Sequence, residues 1–176
     1  IIKIFKPILE WYIKQLKQRM NKILTIIFIL LISFSSSSYS VEKGKWTFIN
    51  QEPYCYIISL PINTDLPEEK QRGETFILVY KETGKDQSIV QIDAGYNYKL
   101  EKDIIVRIDN TNYKFFTVQG SEDSAWTADD EKVIYAMKMG LKLIVTGESS
   151  RGTITNDEYT LKGFTSEYNK LFDKCK

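Results

Sequence analysis

Histidine is absent from the 176-residue chain, and its absence removes the commonest general base. Neither a Ser-His-Asp nor a Cys-His nucleophilic site can be assembled, and the usual zinc sets lose a ligand type. The nine glycines are scattered and form no Walker or dinucleotide loop. Long hydrophobic runs are also missing: the longest, Ile23 to Phe34, has twelve residues, against about 20 needed to cross a bilayer core. With only two cysteines, a Cys-based metal site would need further ligands that nothing in the pattern supplies. No cofactor or metal is expected.

The short apolar run belongs to a three-part segment. Met20 and Lys22 precede it and a serine-rich tail ending Ser-Tyr-Ser follows it, which is the layout of a secretory signal peptide with cleavage expected after Ser40. Residues 1–19 carry five basic groups and Glu10, and Pro7 would interrupt a helix there, so they read as an extension upstream of the true start. The alternative is an uncleaved, membrane-tethering N-terminus. Residues 1–40 hold six Lys/Arg and one Glu, leaving residues 41–176 with eighteen basic and twenty-two acidic groups, near −4. A mildly acidic chain without a block of like charge lacks the footprint of a nucleic-acid binder. Residues 41–176 are expected to be a single exported domain, periplasmic or secreted, and not integral to the membrane after cleavage.

The mature chain reads as short strands separated by turn chemistry. "YCYIISL" (54–60), "ETFILVY" (74–80), "SIVQIDA" (88–94), "DIIVRID" (103–109), "YKFFTV" (113–118), "LKLIVTG" (141–147) and "GTITNDEYTL" (152–161) form the series. Val90, Ile92 and Ala94 should face inward. The strand at 74–80 carries apolar residues on both faces and should lie inside a two-layer core. Asn110-Thr111-Asn112 reads as a hairpin turn. The fold class expected is all-β, an antiparallel β-sandwich with one or two short helices.

Thr127 is the expected N-cap of a helix over "ADDEKVIYAMKM", closed by Gly140, and Asp129, Asp130 and Glu131 suit its dipole better than a calcium loop. A second helix, Thr165 to Lys174, puts Phe164, Tyr168, Leu171, Phe172 and Cys175 on one stripe. In an oxidising compartment Cys55 and Cys175 should therefore form a disulfide that fastens this closing helix to the sheet.

Candidate chemistry is thin. Asp93, Asp109, Asp157 and Glu158 could in principle supply the carboxylate pair of a glycan-acting enzyme, although charged residues at turns and strand edges are usually solvated. Tyr54, Tyr56, Tyr96 and Tyr98 lie beside strand ends and are the candidates for an aromatic platform.

"CYIISLP", "RGETFILV" with Arg72 at its head, "DAGYNYKLEKDIIVRIDNTNYKFFT", "AWT" and "GESSRGTITNDEYTLKGFTSEYNKLFDKC" together resemble, in order and spacing, the invasion-associated locus B family of alphaproteobacterial envelope proteins. The most specific pieces are the hydrophobic-Asp turn at Ile108-Asp109, Trp126, the Ser-x-x-Gly-Thr step around Arg151-Gly152-Thr153, and the Leu-Lys-Gly-Phe run ending at Gly163 and Phe164. Some members carry an extra Cys pair in mid-domain, which this chain lacks. The resemblance implies an immunoglobulin-like sandwich exported to the envelope, no catalytic residue, a partner that is a protein or another envelope component, and a role in host-cell invasion. The same residues have plain structural readings: Gly152 and Gly163 as positive-φ turns, Trp126 as a core plug, and Arg151 as an edge charge.

Overall fold

Alternating apolar residues make most of the strands, and their pairing is antiparallel throughout. The computed structural model describes residues 40–175, and Ser40–Lys176 forms one compact unit. The expected extension (1–19) and the leader up to Tyr39 lie outside the described residues. The strands are β1 Thr47–Gln51, β2 Tyr54–Ser59, β3 Asn63–Thr64, β4 Phe76–Glu82, β5 Ile89–Asp93, β6 Ile104–Ile108, β7 Thr111–Val118, β8 Ser121–Trp126, β9 Lys142–Glu148 and β10 Ile154–Thr160. Helix α1 spans Asp130–Met139 and α2 spans Phe164–Lys174. The all-β expectation with two short helices is borne out.

The strands join in one order, β1-β2-β4-β5-β8-β7-β6-β9-β10-β3. This sheet curls into two facing halves, and β7 belongs to both. The first part of β7 pairs with β6 through Ile104↔Phe115. Its end pairs with β8 through Phe116↔Trp126, with a register shift before Val118. Such an irregularity bends a strand and lets a sheet turn a corner. Ile57, Ile77, Val79, Val90 and Ile92 from one half and Ile104, Val106, Phe115, Leu143 and Tyr159 from the other make one continuous core.

The sequence expectations meet the structure unevenly. Val90, Ile92 and Ala94 are buried as expected. Within β4, Ile77 and Val79 are fully enclosed, whereas Phe76, Leu78 and Tyr80 on the other face are only half-buried, because among the described residues no second layer covers that side. The β6–β7 turn is tighter than read: Ile108 pairs with Thr111, so Asp109 and Asn110 make the turn, and Asp109 adopts φ 48°. The N-cap of α1 is Asp129, whose carboxylate accepts from the Lys132 amide. Thr127 instead accepts from the Asp129 amide one turn earlier. Gly140 ends α1 in extended conformation, φ −86°, so it is needed for space: a Cβ there would lie 2.7 Å from Ile108.

Helix α2 closes the open edge of the first half. Phe164 is fully buried and packs edge-on against Trp46 with centroids 4.8 Å apart. Tyr168 and Leu171 continue the buried stripe, while Phe172 sits at its margin beneath the Lys81 ammonium. At the end of the stripe the Cys55–Cys175 disulfide is present, with Cα atoms 5.8 Å apart and 120 residues enclosed. Both cysteines are buried. Removing the bridge by Cys55→Ala with Cys175→Ala, or by reduction, should cost about 2–4 kcal/mol, since a long loop regains freedom in the unfolded chain. Denaturant unfolding with and without reductant measures this. Coincident curves would contradict it.

Candidate functional site

One segment, Ala94 to Lys99, crosses between the two halves of the sheet and organises the polar end of the molecule. On one side the Ala94 and Tyr98 amides donate to the carbonyls of Asp123 and Glu122 in β8. On the other the Lys99 amide donates to Glu148, and the Asn97 carbonyl accepts from the Ser150 amide. Next to it runs the loop from β3 to β4, so close that the Gly73 amide donates to the Gly95 carbonyl at 2.9 Å. Gly95 has φ +70°, and a Cβ on it would lie 2.4 Å from the Gly73 carbonyl oxygen, so no other residue fits this crossing without moving backbone.

Arg72 closes the loop onto β10. Its guanidinium makes a bidentate pair with Asp157, Nη1 to Oδ2 at 2.7 Å and Nη2 to Oδ1, and also donates to the Ala94 carbonyl and the Thr64 hydroxyl. The two side chains are 8% and 3% exposed. Burial opposes the charge on Arg72, but the hydrogen bond and charge of Asp157 outweigh it and hold its pKa above the ordinary arginine value. Three tyrosines surround the pair. The Tyr96 hydroxyl bonds Thr155 at 2.7 Å, and Tyr159 lies 3.5 Å from the Thr75 hydroxyl. The Tyr98 hydroxyl is buried without a partner among the described residues. Burial pushes all three phenols above their usual pKa.

Above this floor opens a cleft of about 900 Å³, walled by the 66–72 loop, Tyr96 and Asn97, and the β9–β10 turn from Ser149 to Thr153. Two of the residues singled out in the sequence, Arg72 and Arg151, meet here, one as buried floor and the other as exposed rim. Gly152 forms the same turn at φ +82°. The others lie elsewhere. The Asp109 carboxylate accepts from the Leu141 and Lys142 amides, at 3.1 to 3.3 Å, and so ties the β6–β7 turn to the start of β9. Gly163 precedes α2 at φ +87°, and Phe164 is core.

Trp126 is not the core plug its composition suggests; it is half-buried on the outer face of the first half-sheet. Directly opposed residues of antiparallel strands share a face. One unbroken row therefore runs Thr47, Ile58, Leu78, Gln91, Trp126, Phe116 across six strands. A parallel row holds Ile49, Tyr56, Tyr80 and Ile89. Beside them Tyr54, 45% exposed, stacks edge-on to Tyr80 across a shallow groove of about 480 Å³. Of the four tyrosines read as candidates, Tyr54 and Tyr56 are on this face, whereas Tyr96 and Tyr98 serve the interior of the polar end.

The four candidate carboxylates are each taken up structurally. Asp93 accepts from the Gly95 amide and the Ser124 hydroxyl, Asp109 caps backbone amides, Asp157 is held by Arg72, and Glu158 faces Lys142 at 3.4 Å.

The family model for invasion associated locus B (IalB) protein matches residues 50–171. Among solved structures, invasion associated protein B from Bartonella henselae superposes with a TM-score of 0.54 at 14% identity, covering 77% of this chain and 97% of that one. That likeness is one of fold. No curated protein matches the chain in sequence.

Breaking the Arg72–Asp157 pair from one side, by Arg72→Met or Asp157→Asn, should cost about 3–5 kcal/mol because the surviving group stays buried without its partner. The double variant Arg72→Met with Asp157→Leu should recover most of that loss. A double variant as unstable as the sum of the singles would contradict it. The buried phenols give a second expectation. Their folded pKa values are raised, so their contribution to stability is complete below the unfolded value of 10 and is lost as pH rises beyond it. Tyrosinate absorbance followed against pH should show, for the buried phenols, a late and cooperative phase that coincides with unfolding. A single phase centred at the unfolded value would contradict it.

Proposed function

The chain belongs to the invasion associated locus B family, and from that premise we propose that it is an exported envelope protein that acts by surface contact rather than by catalysis. The observation that carries this reading is the outer face of the first half-sheet, where aromatic and aliphatic side chains from β2, β4, β5, β8 and the end of β7 remain partly open to solvent. Large apolar patches rimmed by polar groups are where proteins meet partners, and Tyr and Trp dominate the binding energy of such surfaces. Gln51 and Glu52 supply polar groups at the margin of this face, and Gln91 sits within it between Leu78 and Trp126. The partner is another envelope protein or component or, in a host-associated organism, the host-cell surface.

Export is supported by the buried Cys55–Cys175 bridge, since structural disulfides persist in oxidising compartments. Among the described residues no helix is long and apolar enough to cross a membrane. The glycan-acting alternative is less favoured because Asp93, Asp109 and Asp157 are engaged by backbone amides or by Arg72, and Glu158 faces Lys142 on the surface.

The test is complementation of a deletion strain, scored for envelope integrity and cell attachment, with the wild-type chain and with Tyr54→Lys plus Phe116→Lys. Both positions are nearly half exposed, 45% and 44%, so the change should alter stability by less than about 1 kcal/mol. Complementation should nevertheless fall severalfold while the protein accumulates in the periplasm with Val41 as its first residue. Full complementation by the doubly charged variant would sink the contact reading.

A further inference from the structure

We propose that the cleft between the 66–72 loop and the β9–β10 turn is a binding site for an acidic saccharide, a hydroxyl-rich chain bearing carboxylates. The proposal goes beyond contact through the outer sheet face, which uses a different set of residues, and either can fail without the other.

Charge comes first. Arg72 contributes none to the cleft, because Asp157 offsets it. Of the remaining charged groups that line the opening, Lys70 and Arg151 are positive and Glu69 is negative. Among the described residues neither cation forms an ion pair, and the Lys70 ammonium rests on the neutral Thr153 hydroxyl at 2.9 Å. The rim thus presents two cations with unspent charge, one of them a planar arginine fork suited to bidentate recognition of a carboxylate. The polar lining comes second. Gln71, Asn97 and Ser150 are exposed amides and a hydroxyl that can read the donors and acceptors spaced along a sugar, while Tyr96 and Leu66 offer small apolar surfaces to its C–H faces. An acidic peptide would match the cations too, but its backbone donors and acceptors lie along one line, whereas a saccharide ring carries them on every side, as a polar lining spread around the opening favours.

Rigidity is the third observation. The floor cannot shift without breaking the bidentate Arg72–Asp157 pair, and the Gly73–Gly95 crossing is too tight to admit a Cβ. The turn carrying Arg151 is fastened by the Ser149 and Gly152 amides and by the Ser150 amide on Asn97. A preformed site loses less freedom on binding than a loose one.

The experiment is calorimetric titration of the disulfide-bonded chain with a short galacturonate oligomer, its methyl-esterified neutral counterpart and a glutamate oligopeptide of equal charge. Galacturonate should bind, the ester at least about tenfold more weakly, and the peptide no better than the ester. Arg151→Ala and Lys70→Ala should each weaken galacturonate binding roughly five- to tenfold, and Glu69→Gln should tighten it, all with unchanged melting temperature. Tyr54→Lys on the outer face should leave it unaltered. The proposal is overturned if galacturonate does not bind, if the ester binds equally well, if the peptide binds more tightly, or if the two cation variants behave as wild type.

Discussion

The bidentate pair between Arg72 and Asp157 is the interaction on which the polar half of the molecule depends. It joins residues 85 apart in sequence and turns a long Pro- and charge-rich connection into a fixed wall. Around it the Asp65 carboxylate accepts from the Asn156 amide and side chain, the Ile62 amide donates to Glu158, and β3 adds itself to β10. Burying two charges is costly unless each is matched by the other and by further hydrogen bonds. Arg72 meets that condition with Ala94 and Thr64 as additional acceptors. The pair therefore ties the loop to β10, and the loop so held forms one wall of the cleft.

At the opposite end the closure is covalent and apolar. The disulfide fixes the last residue of the α2 stripe to β2, while at the start of that helix Trp46 packs on Phe164 and donates its indole N–H to the Thr160 carbonyl at 2.9 Å. The curled sheet is thus held by charge at one end and by sulfur at the other, with the aromatic packing of α2 between them. Among the described residues the outer face of β2, β4, β5, β8 and the end of β7 stays half-buried, and it carries Tyr56, Tyr80, Trp126 and Phe116.

The strands most legible in the sequence are those whose alternation is carried by Val, Ile and Leu, β4, β5, β6 and β9; β2, β7 and β10 are legible too, although the buried side of β10 is Thr155, Asp157 and Tyr159. The last helix was legible from a stripe with period 3.6, and its Cys pointed to Cys55. By contrast β8, "SEDSAW", has no such alternation. Its buried positions are Ser124 and Ala125, small residues that fit where the sheet turns, so no apolar period marks it as a strand. The cap of α1 moved from Thr127 to Asp129 because both side chains can cap and only the packed helix decides between them. Apolar residues on both faces of β4 imply a strand inside a two-layer core, and periodicity cannot tell a fully covered face from one that stays half-buried. The Arg72–Asp157 pair was invisible for a different reason: nothing local marks a charge whose partner is 85 residues away.

Native-state hydrogen exchange tests the central claim, that the Arg72 connection is part of the cooperative fold rather than a surface loop. The amides of Ile62, Gly73 and Asn156, each bonded across this seam, should exchange only through the opening that also releases the core amides of β4 and β9. Exchange at those three positions that is orders of magnitude faster than in the core strands would mean that the seam opens independently, and that the cleft is not the rigid site described.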